Sequence, residues 1–293
     1  MARRSKVEVS AVNLRIPSGM DRNYVSLIKE ITCLKRGVRV FGDTYVAINR
    51  FDEDSKWGII SKYTEIDIDG DWFDVKDFDV ASPEMVGEVV IPENLRPNWS
   101  AFYFKLDPNL HIVAFETYSE SKSLSSRSVE KYFQEILRDE KIYSKFGYVE
   151  ADIVKSYGEV DRIISLENLR ELRIIIRRPN TDDMSEDLAA EIERRLSGQN
   201  AEEYEEVLKS KDSDGIKPDE RTKKLSYVAA ENGQVVGRSL MNGVMVTHDT
   251  KEVPFKEFET YNSEIRDARS VFSRLAEKVF SAISTSRSAA SRQ

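Results

Sequence analysis

The chain has 293 residues, 40% hydrophobic and 33% charged, the balance of a soluble globular protein rather than a disordered or fibrous one. Its 44 Lys and Arg against 52 Asp and Glu give a net charge of −8, which excludes a uniformly basic coat for nucleic acid. One cysteine, Cys33, excludes an internal disulfide and any cysteine-based zinc or iron–sulfur centre, and two histidines, His111 and His248, leave little for a histidine-rich metal site.

Residues 7–16 alternate and are rich in β-branched side chains, which predicts a strand closed by Pro17-Ser18-Gly19. Tyr24, Leu27, Ile28, Ile31 and Leu34 follow at helical spacing, with Ser18 or Asp21 as N-cap, Gly37 as stop and Cys33 as a core thiol. Residues 38–49, 58–68 and 71–80 read as three strands, the last two joined by an Asp69-Gly70 turn. Residues 101–106 and 111–118 flank Asp107-Pro108-Asn109, a hairpin turn. A polar loop at 119–128 leads into a helix marked by Val129, Tyr132, Phe133, Ile136 and Leu137.

The second half predicts a strand over 149–156, a helix over 159–169 and a strand over 171–178 ending at Pro179. A long acidic helix is expected over 185–209, with Leu188, Ile192 and Leu196 on one stripe, before a loop at 209–222. Residues 225–230 and 234–240 flank Glu231-Asn232-Gly233 and read as a β-hairpin, because Asn-Gly favours the two-residue turn. A terminal helix over 262–283 precedes a disordered Ser/Arg/Ala tail at 284–293. Antiparallel hairpins mixed with packed helices define an α+β fold. The expected division is an N-terminal domain over 1–146 and a C-terminal domain over 147–283. No apolar run approaches the roughly 18–20 residues of a membrane helix, and the basic start lacks the apolar stretch of a signal peptide, so a cytoplasmic protein without membrane contact is expected.

Catalytic patterns are sparse. Glu65, Asp67, Asp69, Asp71 and Asp74 form the densest acidic patch and the natural place for Ca²⁺ or Mg²⁺, as in a metal-dependent nuclease or other hydrolase. EF-hand spacing fails, since the twelfth position from Asp67 is Phe78. Alternation of these acids with Ile66, Ile68, Trp72 and Phe73 instead suits a solvated hairpin, so no metal is expected there. Acid-x-Lys pairs such as Asp74/Lys76 and Glu120/Lys122 occur about as often as this composition produces by chance. Gly-x-Ser-x-Gly, the phosphate-binding Gly-x-x-x-x-Gly-Lys-Ser/Thr loop and Gly-x-Gly-x-x-Gly are all missing. No catalytic residue and no cofactor are therefore expected, and binding is favoured over catalysis.

Charge is uneven along the chain. Residues 1–50 hold ten Lys and Arg against four acids, whereas residues 51–93 hold three lysines against thirteen acids. In the strand ending at Pro179, alternation sets Arg173 and Arg177 on one face and Leu172, Ile174 and Ile176 on the other. The two arginines stand about 13 Å apart, a spacing suited to successive phosphates. With Arg170 and Arg178 nearby, they are the expected nucleic-acid contacts; the alternative is pairing with Glu186, Asp187, Glu191 or Glu193. In the terminal helix Ile265, Ala268, Phe272, Leu275 and Val279 form a 3-4-3-4 seam. Ile265, Phe272, Leu275 and Val279 are thus the expected homodimer interface, with a helix docked on its own sheet as the alternative.

Val149-Glu150-Ala151 in a strand, Gly158 opening a helix with Ile163-Ile164, the strand from Leu172 to Pro179 and the charged helix after it resemble the central region of RexA-like phage-exclusion proteins. The likeness spans residues 148–193, and a similar order of elements continues to the C-terminus. It implies a two-domain dimer that binds DNA without strong sequence preference and takes part in phage exclusion. The leading expectation is a non-enzymatic binding protein of this kind. A metal-dependent hydrolase using the Glu65–Asp74 acids and a protein-interaction module are the alternatives.

Overall fold

Period-two alternation along the first strand, β1 (Arg4–Arg15), sorts its side chains onto two buried faces: Val12 and Leu14 on one, Val7, Val9 and Ala11 on the other. The computed structural model describes residues 4–17, 19–68, 70–179 and 188–292. After β1 come α1 (Tyr24–Cys33), β2 (Val38–Phe41), β3 (Thr44–Asp52), β4 (Trp57–Thr64), the two-residue strands β5 (Phe73–Asp74) and β6 (Asp79–Val80), and α2 (Pro83–Gly87). Then follow β7 (Ser100–Asp107), β8 (Ile112–Ser119), β9 (Lys122–Ser123), α3 (Ser126–Ile136), α4 (Glu140–Phe146) and β10 (Glu150–Ile153). The remainder holds α5 (Tyr157–Ile164), β11 (Leu169–Arg177), α6 (Leu188–Gly198), β12 (Glu203–Lys209), α7 (Glu220–Asn232), β13 (Gly233–Met241), β14 (Val244–Asp249), β15 (Glu257–Asn262) and α8 (Ala268–Arg292). The fold is α+β, as the mixture of hairpins and helices implies.

The larger sheet runs β10-β1-β8-β7-β4-β3-β2, with β15 also on β1 and β9 on β8. Strand β1 is long enough to serve two partners along one edge: Arg4–Val9 pairs with β15 and Val12–Arg15 with β10. Helices α1, α3 and α4 cover one face through Leu27, Ile28, Tyr132, Phe133, Ile142 and Phe146. Helix α8 covers the other through Phe272, Leu275, Val279 and Ile283. Burial on both faces explains why β8 reads as a continuous apolar run from Ile112 to Phe115. The smaller sheet, β12-β11-β13-β14, is covered on one face by α5, α6 and α7.

Several expectations change. The larger sheet takes strands from the beginning, middle and end of the chain, so the division does not fall at 146/147; the smaller unit is inserted between β10 and β15. Helix α8 continues through 284–292, where a disordered tail was expected, and Arg287 is buried in an ion pair with Glu231 at 2.7 Å. The stretch 185–209 is not one helix. It ends at Gly198, and the glutamates beyond it form edge strand β12, where Glu205 and Glu203 pair across to Arg173 at 3.0 Å and Arg177 at 3.5 Å. Residues 225–230 are helix, and Asn232-Gly233 joins α7 to β13. Gly233 is needed for close approach, because a Cβ there would lie 2.0 Å from the Ile175 carbonyl oxygen. The hairpin turn is Asn242-Gly243, with φ of 50° and 78°, between the paired Met241 and Val244. Residues 71–80 form only the small β5–β6 pair, and none of the described residues between 65 and 99 is buried. Cys33 is exposed at the end of α1, whose N-cap is Asn23. Ser18, Asp69, Glu186 and Asp187 lie outside the described residues.

Candidate functional site

The proposed dimer seam points into its own chain. Phe272, Leu275 and Val279 are each 0% exposed, and the Phe272 ring meets Trp57 edge-on at 5.1 Å. Ile265 precedes α8 and is 78% exposed, so it is not part of that face. The seam is satisfied by β1, β7 and β8, which removes it as a dimer contact.

The four arginines are dispersed and occupied. Arg170 donates to the backbone carbonyls of Asp212 and Ser213, and Arg178 donates through Nε to the Ala201 carbonyl at 2.8 Å. Arg173 and Arg177 do share the outer face of β11, but both are neutralised. Arg173 pairs with Glu205, and Arg177 reaches Asp152 at 2.7 Å and Glu203. These partners come from β12 and β10 rather than from Glu191 or Glu193. The acidic patch does not converge either: Glu65 accepts from Arg96 at 2.8 Å and Asp74 caps its own turn. Among the described residues, no group of three His, Cys, Asp or Glu side chains is arranged to hold a metal ion. His111 stacks on Tyr24 at 4.2 Å, and His248 lies between Arg162 and Ser239.

Chemistry instead gathers where the two sheets meet. A cleft of about 910 Å³ lies between α3 with β2–β4 on one side and β11, β13 and Lys251 on the other. Six cations (Lys62, Arg127, Lys131, Lys155, Arg177 and Lys251) and three carboxylates (Glu130, Glu135 and Asp152) line it. At its floor the Asp152 carboxylate, 3% exposed, accepts from Arg15 and from Arg177. Burial opposes that charge, but Arg15, Arg177 and Lys155 outweigh it and hold the carboxyl below the usual carboxylate range. Lys155 is also 3% exposed, with Nζ donating to the Ile153 carbonyl at 2.5 Å and lying 3.7 Å from Glu130. Burial pushes its ammonium pKa down, and the attraction of Asp152 and Glu130 does not fully offset this. The floor is a compensated network.

The rim differs. Lys62 donates to the Ser123 carbonyl at 2.5 Å and Lys131 to the Val40 carbonyl at 3.3 Å, while Arg127 and Lys251 are exposed. Among the described residues, none of these four has a carboxylate within ion-pair distance. Burial lowers the Lys62 pKa. Of the remaining rim acids, Glu135 is held by Arg138 at 3.2 Å. The cleft therefore presents uncompensated positive charge over a neutralised floor, an arrangement that attracts a polyanion.

Sequence reasoning missed this site, although a signal was there. Arg15 interrupts an apolar strand, Asp152 and Lys155 stand with Glu150 among the apolar residues of 149–155, and buried charges must find partners. Such a molecule is an α+β protein with an electropositive cleft between two sheet units. The family described as "Domain of unknown function (DUF4747)" matches residues 5–277, and the chain belongs to it. No curated protein matches the chain.

Proposed function

We propose that the protein is a non-enzymatic binder that holds nucleic acid in this cleft by its phosphate backbone, without reading bases. The observation carrying this reading is the convergence of Lys62, Arg127, Lys131 and Lys251 on one concave surface without carboxylate partners. Fixed positive charge of this kind contacts phosphate and carries no sequence information. The resemblance of residues 148–193 to RexA-like proteins agrees with it and adds phage exclusion as the setting. The contact surface is moved from the outer face of β11 to the cleft, with Arg177 common to both.

Anisotropy of labelled oligonucleotides of unrelated sequence tests the proposal. Four phosphate contacts predict a slope of log K against log salt of about −3. Lys131→Ala with Lys251→Ala weakens all sequences alike and flattens the slope by about two ions. Absence of binding at low salt refutes the reading, and Mg²⁺-dependent cleavage would favour a nuclease.

A further inference from the structure

Residues 65–99 leave the larger sheet after β4 and return to it at β7, and none of the described residues among them is buried. Eleven of the twenty-two large apolar side chains exposed among the described residues fall in this short stretch. Apolar surface concentrated in this way marks a contact surface, whereas single exposed apolar residues are ordinary. The tip of the excursion is the β5–β6 hairpin, with Phe73 opposite Val80 and Asp74 opposite Asp79. Two aspartates directly across a strand pair repel, and so short a hairpin gains little in water by itself. Asp71, Asp74, Asp77 and Asp79 stand on this tip with the single cation Lys76. Among the described residues, none of these four acids has a cation within ion-pair distance, in contrast to Glu65, which has Arg96. Phe78 is exposed at φ 56°, a backbone that bulky residues seldom adopt, and its ring meets Phe73 edge-on at 5.1 Å. The base of the excursion is fastened. The Thr64 amide donates to the Pro97 carbonyl at 3.0 Å, the Glu65 amide to the Asp43 carbonyl at 2.9 Å, and the Trp99 indole to the Ser61 hydroxyl at 2.9 Å. None of the described residues of 65–99 lines the chain's own cleft.

We infer that this acidic, aromatic tip docks in the cleft of a second copy of this chain. The two surfaces complement each other in charge and in character. Four acids without cations meet four rim cations without carboxylates, Lys62, Arg127, Lys131 and Lys251. Val75 and Phe78 meet Phe41, a ring that lines the cleft and is 80% exposed. Reciprocal docking, each cleft holding the other copy's tip, closes a two-fold dimer and needs no third copy. The tip is itself a polyanion, so the dimer and a nucleic acid exclude each other from the rim. The inference uses the charge of the cleft and does not depend on nucleic acid being its other occupant.

Sedimentation of the full chain over a range of concentrations and salt tests it. The expected result is a dimer at low salt that dissociates as salt rises; a monomer at every concentration overturns the inference. Asp74→Asn with Asp79→Asn keeps the oxygen that caps the turn and should raise the dimer dissociation constant at least about tenfold, because charge pairs are lost at both contacts. Val75→Ser with Phe78→Ser should weaken the dimer through its apolar part. Both variants melt with the parent, since none of these side chains belongs to a hydrophobic cluster. A dimer indifferent to both overturns the docking. Carbodiimide coupling of mixed heavy- and light-isotope protein locates the contact, with Asp74, Asp77 or Asp79 of one copy joined to Lys62, Lys131 or Lys251 of the other. Coupling of these residues only within one copy means that the tip enters its own cleft, and coupling elsewhere means another surface; either overturns the inference. An oligonucleotide should release monomer. If it fails to bind while the dimer keeps its crosslinks, the docking stands and the nucleic-acid reading falls; if it binds and leaves the dimer whole, the docking falls.

Discussion

Glu116 should make the protein less stable as pH rises from about 4.5 to about 7. It lies in β8 with 1% exposure, Oε2 accepting from the Tyr103 amide at 2.8 Å and Oε1 without a partner. Burial raises its pKa from the ordinary 4.5 to about 7, against the lowering effect of that amide. Between those values the native state keeps a proton that the unfolded chain has lost, so folding stability declines across this window. The gap of about 2.5, at about 1.4 kcal/mol for each pH unit, amounts to about 3 kcal/mol, present in full only above pH 7. Glu116→Gln removes the ionisation and keeps the acceptor. Urea denaturation of both proteins at about pH 5 and about pH 8 should show the variant gaining about 2.5 kcal/mol relative to the parent at the higher pH, part of the loss having already occurred by pH 5. Any constant cost of burying the amide cancels in that comparison. Parallel stability curves for the two proteins would refute the assignment of a buried, proton-retaining Glu116.

The C-terminal anchor is equally open to test: Arg287→Ala strands Glu231 and its Tyr157 partner without their cation and should cost about 3–5 kcal/mol in urea denaturation. A loss under about 1 kcal/mol would mean that the last turns of α8 carry little. Phe272→Glu places a charge in the core against Trp57 and should abolish the cooperative melt; a folded monomeric variant would restore the seam to an interface between chains. Two glycine substitutions separate conformational need from space. Gly243→Ala, at φ 78° with nothing within 4 Å, should cost about 1 kcal/mol, and Gly233→Ala distinctly more because its Cβ meets the Ile175 carbonyl. Equal costs for the two would contradict the close packing of β13 on β11.

Where a pattern reports burial directly, it was legible. Alternation in β11 correctly separates Leu172, Ile174 and Ile176 from Arg173 and Arg177, and helical spacing correctly buries Val129, Tyr132, Phe133 and Ile136 of α3. What failed were elements whose local preference yields to a distant partner. Glutamate-rich Glu203–Lys209 is a strand because arginines on β11 await its acids. Of two Asn-Gly pairs the first ends a helix and the second makes the turn, since what differs is the neighbour: the β11 backbone beside Gly233, open space beside Gly243. The cleft was illegible for the same reason. Its residues come from α3, β4, β10 and β11 and meet only after the inserted unit docks on the first sheet.

The net charge conceals this site rather than arguing against it. Residues 65–99 hold ten carboxylates against Lys76 and Arg96, an excess equal to the whole chain's −8, so the rest of the molecule is neutral in sum. None of the described residues of that segment is buried, and Phe78 is exposed by 82% and Val75 by 84%. The segment stands outside all three hydrophobic clusters, and salt screens exposed charge beyond about 10 Å. An acidic total therefore describes one excursion, while the surface that meets a polyanion is set by which cations lack partners. In β11 each arginine has a carboxylate or carbonyl of its own; on the cleft rim Arg127 and Lys251 have none among the described residues. Counting charges would rank the arginine strand first, and counting unpaired charges reverses the order.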